Sequence, residues 1–161
     1  MQAFQRDYGF SETGDLDPIE TVYLICAAAQ SANDLTSINA LGIMYITGLG
    51  VVQSTDIGMR WLKSAATRGN ADALYNLALI YGTGVVMSSY RLCGIAESTD
   101  IADSYLTEAE HKGHRIAHYL LEKYGALSSE ERWRHIRDDL FDQASLYRLR
   151  MENVGRGCEP N

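Results

Sequence analysis

The chain repeats part of its own sequence, and this repetition restricts its fold more than any other feature. The tetrad Ser54–Ile57 recurs unchanged as Ser98–Ile101, 44 positions later. A second alignment, at an offset of 36 positions, pairs Gly48 with Gly84. Fourteen positions separate Gly84 from Ser98, whereas six separate their counterparts, so the second copy carries an eight-residue insertion. Repeats of this length are typical of helical hairpins that stack and share one core.

Apolar spacing predicts two helices in each copy. Ile38, Leu41 and Tyr45 recur at three- and four-residue spacing, which places them on one face of the first helix. The corresponding face of the second helix carries Ile57, Trp61 and Ala65 and, one copy later, Ile101, Tyr105 and Ala109. Only two prolines, against many Ala and Leu residues, favour helix over sheet. We expect both faces to be buried.

The boundaries of the second helix are also predicted. The hydroxyls of Ser54 and Ser98 can accept hydrogen bonds from the unpaired amides of a helix start. Gly69 and Gly113 can adopt the left-handed conformation that ends a helix. Each copy is therefore a helix-turn-helix unit.

Further helices are predicted at both ends of the repeats. Asp17, Pro18 and Glu20 form a helix start with a cap, a first-turn proline and a capping-box acid. Ser128 and Glu131 form a second capping box. It precedes a helical stripe of Trp133, Ile136, Leu140, Ala144, Tyr147 and Met151. We expect this long helix to cover the last repeat.

These signals predict one domain that spans residues 1–161. Its predicted parts are an N-terminal arm (1–16), an N-terminal capping helix (17–31), repeat 1 (34–70), repeat 2 (71–113) with an enlarged loop (85–97), a degenerate repeat 3 with the C-terminal capping helix (114–151) and a tail (152–161).

The repeat resembles the Sel1-like repeat family, which is related to the tetratricopeptide repeats. Its pattern Leu-Gly-x-x-Tyr-x-x-Gly-x-Gly-Val is complete in the first unit, as are the aromatic residue, the Ala pair and the final Gly-Asn: Leu41, Gly42, Tyr45, Gly48, Gly50, Val51, Trp61, Ala65, Ala66, Gly69 and Asn70. The second unit keeps Leu77, Tyr81 and Gly84 but has Ala78 and Val86 in place of glycines. The third keeps Ala117, Tyr119 and Leu121. The resemblance covers residues 34–124 and fades towards their end.

This resemblance implies an all-α fold: a short right-handed α-solenoid of about two to three repeats with capping helices at both ends. It also implies an adaptor, commonly bacterial, that binds a protein through its concave face and has no family active site. The repeat residues have structural roles. Gly42 and Ala78 would allow close helix approach, and Gly48 and Gly84 would supply turn conformations.

The enlarged loop 85–97 is the first candidate surface for a partner. Its contact-forming side chains are Met87, Tyr90, Arg91, Leu92 and Ile95. Tyr and Arg are enriched at binding hot spots, and insertions in repeats often map to a binding face. Alternatively, the loop folds back and buries these side chains on the repeats.

The first helices of the repeats supply the second candidate surface. Asn39, Tyr75 and Tyr119 occupy equivalent positions, and Lys123 occupies another off-core position. As an alternative, Tyr75 and Tyr119 belong to the repeat core.

Charge and cysteine content restrict the partners. A net charge of −7 disfavours nucleic acid. It suits a basic partner such as a toxin or effector, or alternatively serves plain solubility. Three dispersed cysteines without a CxxC pair predict reduced thiols and no zinc site.

Without a signal peptide or a long apolar run, we expect a cytoplasmic protein that does not insert into membranes. We also expect a monomer or weak homo-oligomer and no cofactor.

Three functions remain open at this point. The leading hypothesis is a non-catalytic adaptor that binds a protein through the concave face and the loop 85–97. A sharper alternative is an immunity protein that neutralises a bacterial toxin. The third is a hydrolase or metal enzyme that uses His111, His114 and His118, although no zinc-protease pattern, phosphate loop or nucleophile elbow supports it.

Overall fold

The computed structural model describes residues 18–32, 34–86, 90–91 and 95–148. Within them the fold is the predicted all-α helical repeat. In chain order its elements are α1 (Pro18–Ala27), a π-helical turn (Ala28–Ala32), α2 (Leu35–Thr47), α3 (Thr55–Thr67), α4 (Ala71–Thr83), β1 (Val85–Val86), β2 (Tyr90–Arg91), α5 (Thr99–His111), α6 (Arg115–Tyr124) and α7 (Ser129–Arg148). The chain divides into two compact units, residues 1–68 and 69–161. The predicted cap Asp17, arm 1–16 and tail 152–161 lie outside the described residues.

The first unit contains the hairpin of α2 and α3. The Asp34 carboxylate accepts hydrogen bonds from the amides of Thr36 and Ser37 at the start of α2. The helices meet at glycines, as expected for Gly42: a Cβ there would lie 2.8 Å from Leu62 Cγ. Apolar residues from both helices form the core, including Ile38, Leu41, Ile46, Leu62 and Ala65.

The second unit contains the equivalent hairpin of α4 and α5. Ser98 accepts a hydrogen bond from the Ile101 amide, as Ser54 does from the Ile57 amide, so both predicted caps are confirmed. Gly69 and Gly113 are left-handed, with φ of 85° each. The expected burial of Ile101 is wrong, because this side chain is 44% exposed. The buried stripe of α5 instead follows Ala102, Leu106 and Ala109 at helical spacing.

Part of the enlarged loop forms a short β-hairpin. Gly84 ends α4 in a left-handed conformation with φ of 66°. Antiparallel pairing then joins Val85 to Arg91 and Val86 to Tyr90. The loop is therefore partly ordered by its own backbone, which helical periodicity did not predict.

The last helix, α7, packs against α4, α5 and α6. Ser128 and Glu131 form the predicted capping box, in which the serine amide donates to the glutamate at 3.3 Å and the glutamate amide donates to the serine hydroxyl at 3.4 Å. Trp133 lies buried against Gly82 of α4. This contact fixes α7 on the second repeat as well as on α6.

Asp103 of α5 is the polar anchor of α7. Its carboxylate accepts hydrogen bonds from Trp133 Nε1 at 2.8 Å and from the Ser129 hydroxyl. It also pairs with Arg132 at 2.6 Å, and both side chains are largely buried. Farther along α7, Arg137 Nη2 donates to the Gly82 carbonyl and to Glu97. The start of α7 is thus fixed at several points.

None of the described helices combines the length and the apolar character needed to cross a membrane.

Candidate functional site

An open cleft lies where α4 and α6 begin, and we call it the α4–α6 cleft. Its volume is about 630 Å³. The residues that line it are Ala71 and Asp72 of α4, Gly113 and His114 before α6, and Arg115, Ile116 and Tyr119 of α6. Because α4 and α6 are the first helices of successive repeats, the cleft joins equivalent positions of the repeat.

His114 closes the amino end of α6 at this cleft. Its Nδ1 accepts a hydrogen bond from the Ala117 amide at 3.1 Å. One repeat earlier, the same position holds Asn70, whose side-chain oxygen accepts from the Ala73 amide at 2.7 Å. A histidine has therefore replaced the asparagine cap without loss of the capping hydrogen bond.

The His114 ring also contacts α4. It stacks on Tyr75 with ring centroids 4.3 Å apart and an interplanar angle of 20°. Its Nε2 lies 3.5 Å from the Asp72 carboxylate, and the histidine side chain is only 12% exposed. Burial lowers the pKa of His114, and the nearby Asp72 carboxylate opposes this effect. The ring thus joins the first turns of two helices.

Two large apolar side chains remain exposed beside the cleft. Ile116 is 52% exposed and Tyr119 is 54% exposed. Under the 44-position offset, Ile116 takes the place of the charged Asp72, and Tyr119 takes the place of the half-buried Tyr75. The last repeat therefore presents apolar surface where its predecessor presents a carboxylate and a ring stacked on His114.

Lys123 links the far end of α6 to α7. Its ammonium lies 2.9 Å from the Asp139 carboxylate and 4.7 Å from the centroid of the Tyr124 ring. The Tyr124 hydroxyl donates to the same carboxylate at 2.5 Å. Hydrogen bonds from Tyr124 and Lys123 lower the pKa of Asp139. This cluster holds α6 on α7, and Asp139 compensates the charge of Lys123.

The predicted contact residues divide into several groups in the structure. Tyr119 borders the cleft directly, and Tyr75 lies behind His114. Ile95 is half-buried, and Asn39 is half-buried in the first unit. Tyr90 and Arg91 form β2, whereas their side chains, together with Met87 and Leu92, lie outside what the structure describes.

Sequence reasoning missed four residues as contact candidates: Asp72, His114, Arg115 and Ile116. One signal could have found His114, because the 44-position alignment shows that it replaces Asn70.

The histidines of the metal-enzyme alternative have other contacts. His114 is a helix cap, and His118 Nδ1 lies 2.8 Å from Glu110, a contact that raises the pKa of His118. Among the residues that the structure describes, no group of three or more His, Cys, Asp or Glu side chains could hold a metal ion. The geometry therefore offers no support for a metal centre built from His111, His114 and His118.

Fold and site together define the chain as an all-α helical-repeat protein with a surface cleft between equivalent helices. The family model of the Sel1 repeat matches residues 36–70 and 71–93. Residues 36–93 therefore contain Sel1 repeats, as the motifs indicated, and the remainder of the described chain shares the repeat fold. Proteins of this family generally mediate protein–protein interactions and are typically non-catalytic scaffolds.

Two solved structures share the fold, each with a TM-score of 0.55. One is a protective antigen present in uropathogenic Escherichia coli strains that displays an SLR fold, and it is 19% identical. The other is a Sel1 repeat protein from Oxalobacter formigenes and is 21% identical. The matches cover 89% and 98% of this chain but only 28% and 63% of the respective structures, so the chain spans less than two thirds of either.

Proposed function

We propose that this protein is a non-catalytic adaptor and that the α4–α6 cleft is a contact surface for its protein partner. The observation that carries the proposal is the exposure of Ile116 and Tyr119 beside an open cleft. Both side chains lie in the first half of a helix whose amino end is fixed by His114. The general role of Sel1 repeats in protein–protein interaction supports this proposal.

The residue types beside the cleft fit the composition of a binding surface. Covering the exposed parts of Ile116 and Tyr119 removes apolar area from water, at about 25 cal/mol per Å². Tyrosine is enriched at hot spots, where a few side chains dominate the binding free energy. Arg115 and Asp72 place charged groups at the edge of the same cleft. An apolar centre with a charged rim is the usual arrangement of a protein interface.

The enlarged loop 85–97 is the second proposed contact surface. The pairing of β1 with β2 brings the backbone of Tyr90 next to Val86 at the start of this loop. The side chains proposed to meet the partner are Met87, Tyr90, Arg91, Leu92 and Ile95. In the first unit, Asn39 is proposed as a further contact. Lys123 is a weaker candidate than Tyr119, because its ammonium already pairs with Asp139.

The acidic balance of the chain favours a basic partner. A net charge of −7 accelerates the encounter with a protein of opposite charge. A basic toxin neutralised by this chain is one such partner, and co-expression tests this sharper form of the proposal. If the partner is a toxin, expression of a neighbouring gene should be toxic to cells alone and harmless together with this chain. A neighbouring gene whose expression alone is harmless contradicts this form of the proposal.

The contact surface is tested by side-chain substitution. A partner is first recovered from cells that naturally express the protein, and its affinity is then measured by calorimetry with both proteins purified. We expect Tyr119→Ala and Ile116→Ser each to weaken binding by about tenfold or more, the scale of a hot-spot residue. Ile101→Ser is the matched control, because Ile101 is an exposed isoleucine of α5 that does not line the cleft. Equal affinity of all three variants and the unmodified protein would remove the cleft from the proposed function.

A further inference from the structure

The cap of α6 depends on the protonation state of a ring nitrogen. His114 Nδ1 can accept the hydrogen bond from the Ala117 amide only when this nitrogen carries no proton. The neutral ring then carries its proton on Nε2, the nitrogen that lies 3.5 Å from Asp72. The equivalent cap, Asn70, accepts through an amide oxygen that does not titrate. Of these two equivalent caps, only the one at the cleft responds to acid.

We propose that His114 is a proton-controlled switch at the α4–α6 cleft: the neutral ring holds the first turn of α6 in place, and protonation releases it. A protonated ring directs an N–H group at the Ala117 N–H, so the capping hydrogen bond is lost. Its positive charge also lies at the amino end of α6, where the helix dipole disfavours a cation.

Asp72 of α4 opposes this release. Its carboxylate lies 3.5 Å from His114 Nε2 and attracts a protonated ring. That carboxylate is 62% exposed, however, so water screens the attraction. The other titratable or charged groups around the junction are Tyr75 of α4, Glu110, His111 and Lys112 at the end of α5, and Arg115 and His118 of α6. His118 already pairs with Glu110. Asp72 is thus the principal anion near the ring.

The direction of the pH effect follows from burial. Burial of the ring outweighs the effect of Asp72 and lowers the pKa of His114, so this residue binds more protons in the unfolded chain than in the folded chain under mildly acid conditions. The stability due to the neutral cap is fully present above the ordinary histidine pKa of about 6.5. This stability is lost as the pH falls from about 6.5 towards the lower pKa that His114 has in the folded protein. His118 has the opposite sign, because its hydrogen bond with Glu110 raises its pKa.

Release of the cap would affect the proposed partner surface. Ile116 lies in the first turn of α6 and Tyr119 follows three residues later. Fraying of this turn would remove the fixed geometry of both side chains. This consequence, unlike the switch itself, rests on the proposed function.

The matched variant for the test is His114→Asn. Asn70 shows that asparagine caps the equivalent helix, so the variant keeps the capping hydrogen bond but removes the titrating group. Urea unfolding of the full chain is compared at about pH 7.5 and about pH 5.5, on either side of the histidine pKa. Acid should raise the unfolding constant of the unmodified protein about fivefold more than that of His114→Asn, the scale of one lost cap. Equal pH dependence of the two proteins overturns the switch.

Amide exchange of Ala117 gives a second measurement that does not depend on overall stability. After correction for the intrinsic exchange rate, its protection should fall in acid for the unmodified protein and stay constant for His114→Asn. A proton found on Nδ1 of His114 at neutral pH by nitrogen NMR contradicts the proposal directly.

Partner binding separates the two proposals. If the exchange of the Ala117 amide depends on pH but Tyr119→Ala leaves the affinity for the partner unchanged, the proposed function is rejected and the switch is supported. If the exchange of the Ala117 amide does not depend on pH but Tyr119→Ala weakens partner binding, the switch is rejected and the proposed function is supported.

Discussion

Gly82 determines how closely α7 approaches α4. Under the 36-position offset it takes the place of Ile46, which contacts Gly58 within the first unit. In the second unit the missing side chain leaves room for the Trp133 ring, and any Cβ on residue 82 would overlap it. Ile46 therefore packs within its own repeat, whereas the equivalent Gly82 leaves space in which Trp133 of α7 packs.

We predict that Gly82→Ala destabilises the protein by about 2–3 kcal/mol, because the added Cβ displaces the buried Trp133 ring. Urea unfolding in a Trp61→Phe background measures the loss, and Trp133 fluorescence then reports exposure of the ring. Gly113→Ala is the control: its Cβ meets no atom within 4 Å, but its left-handed backbone costs about 1 kcal/mol. A loss for Gly82→Ala no larger than that of the control contradicts the packing argument.

The role of His114 shows what a sequence alignment can and cannot predict at a single residue. Its place opposite Asn70 indicates a helix cap, since both follow a glycine at the end of the preceding helix. Its stacking on Tyr75 and its approach to Asp72 depend on the packing of α6 against α4, which the sequence alone does not define. The spacing of His111, His114 and His118 left a metal enzyme open as an alternative, because periodicity places side chains on a helix but does not identify their partners.

At the scale of whole elements, α7 is held by a polar anchor as well as by apolar contacts. Asp103 takes the place of the buried Met59 under the 44-position offset. It accepts from Ser129 and Trp133 and pairs with Arg132, so one carboxylate satisfies three side chains of the same helix. Asp103 thus anchors the start of α7 alongside the capping box and the contact of Trp133 with Gly82.

Asp103→Ala should destabilise the protein by about 3 kcal/mol, the scale for removing one partner of a largely buried ion pair. Hydrogen exchange should increase first in α7, since the anchor fixes the start of that helix. Glu108→Ala, at an exposed position of α5, serves as the control and should be close to neutral. Uniform loss of protection in all helices would contradict a local anchor.

The loop 85–97 is the second element with a testable role. Replacement of Tyr90 and Arg91 by alanine should weaken partner binding while leaving the thermal midpoint unchanged, if their side chains meet the partner rather than the repeats. Calorimetry and a thermal scan measure the two effects. A lowered midpoint with unchanged affinity supports the alternative in which the loop packs on the repeats.

Local signals predicted the helices well and the tertiary contacts less well. The caps at Ser54 and Ser98 and the terminal glycines Gly69 and Gly113 were correct, because these depend on neighbouring backbone groups. Ile101 was wrongly placed in the core, because the buried stripe of α5 runs through Ala102, Leu106 and Ala109. Neither the β-hairpin nor the approach of α7 to Gly82 follows from helical spacing.

At the scale of the whole molecule, the chain combines Sel1 repeats with an acidic surface charge and a cleft that exposes Ile116 and Tyr119. The repeat residues account for the fold, and the departures from the repeat are the proposed sites of specificity. If the partner is basic, its association rate should fall as salt concentration rises, because ions screen long-range attraction.

Site-specific photo-crosslinking tests the central claim, that the cleft contacts a protein partner, most directly. A photoreactive phenylalanine derivative is placed at Tyr119 and, as the control, at Ile101, in cells that naturally express the protein. We predict a crosslink to one defined protein from position 119 and none from position 101, with the linked peptide identified by mass spectrometry. Crosslinks of equal yield from both positions, or none from position 119 while the partner is bound, would contradict it.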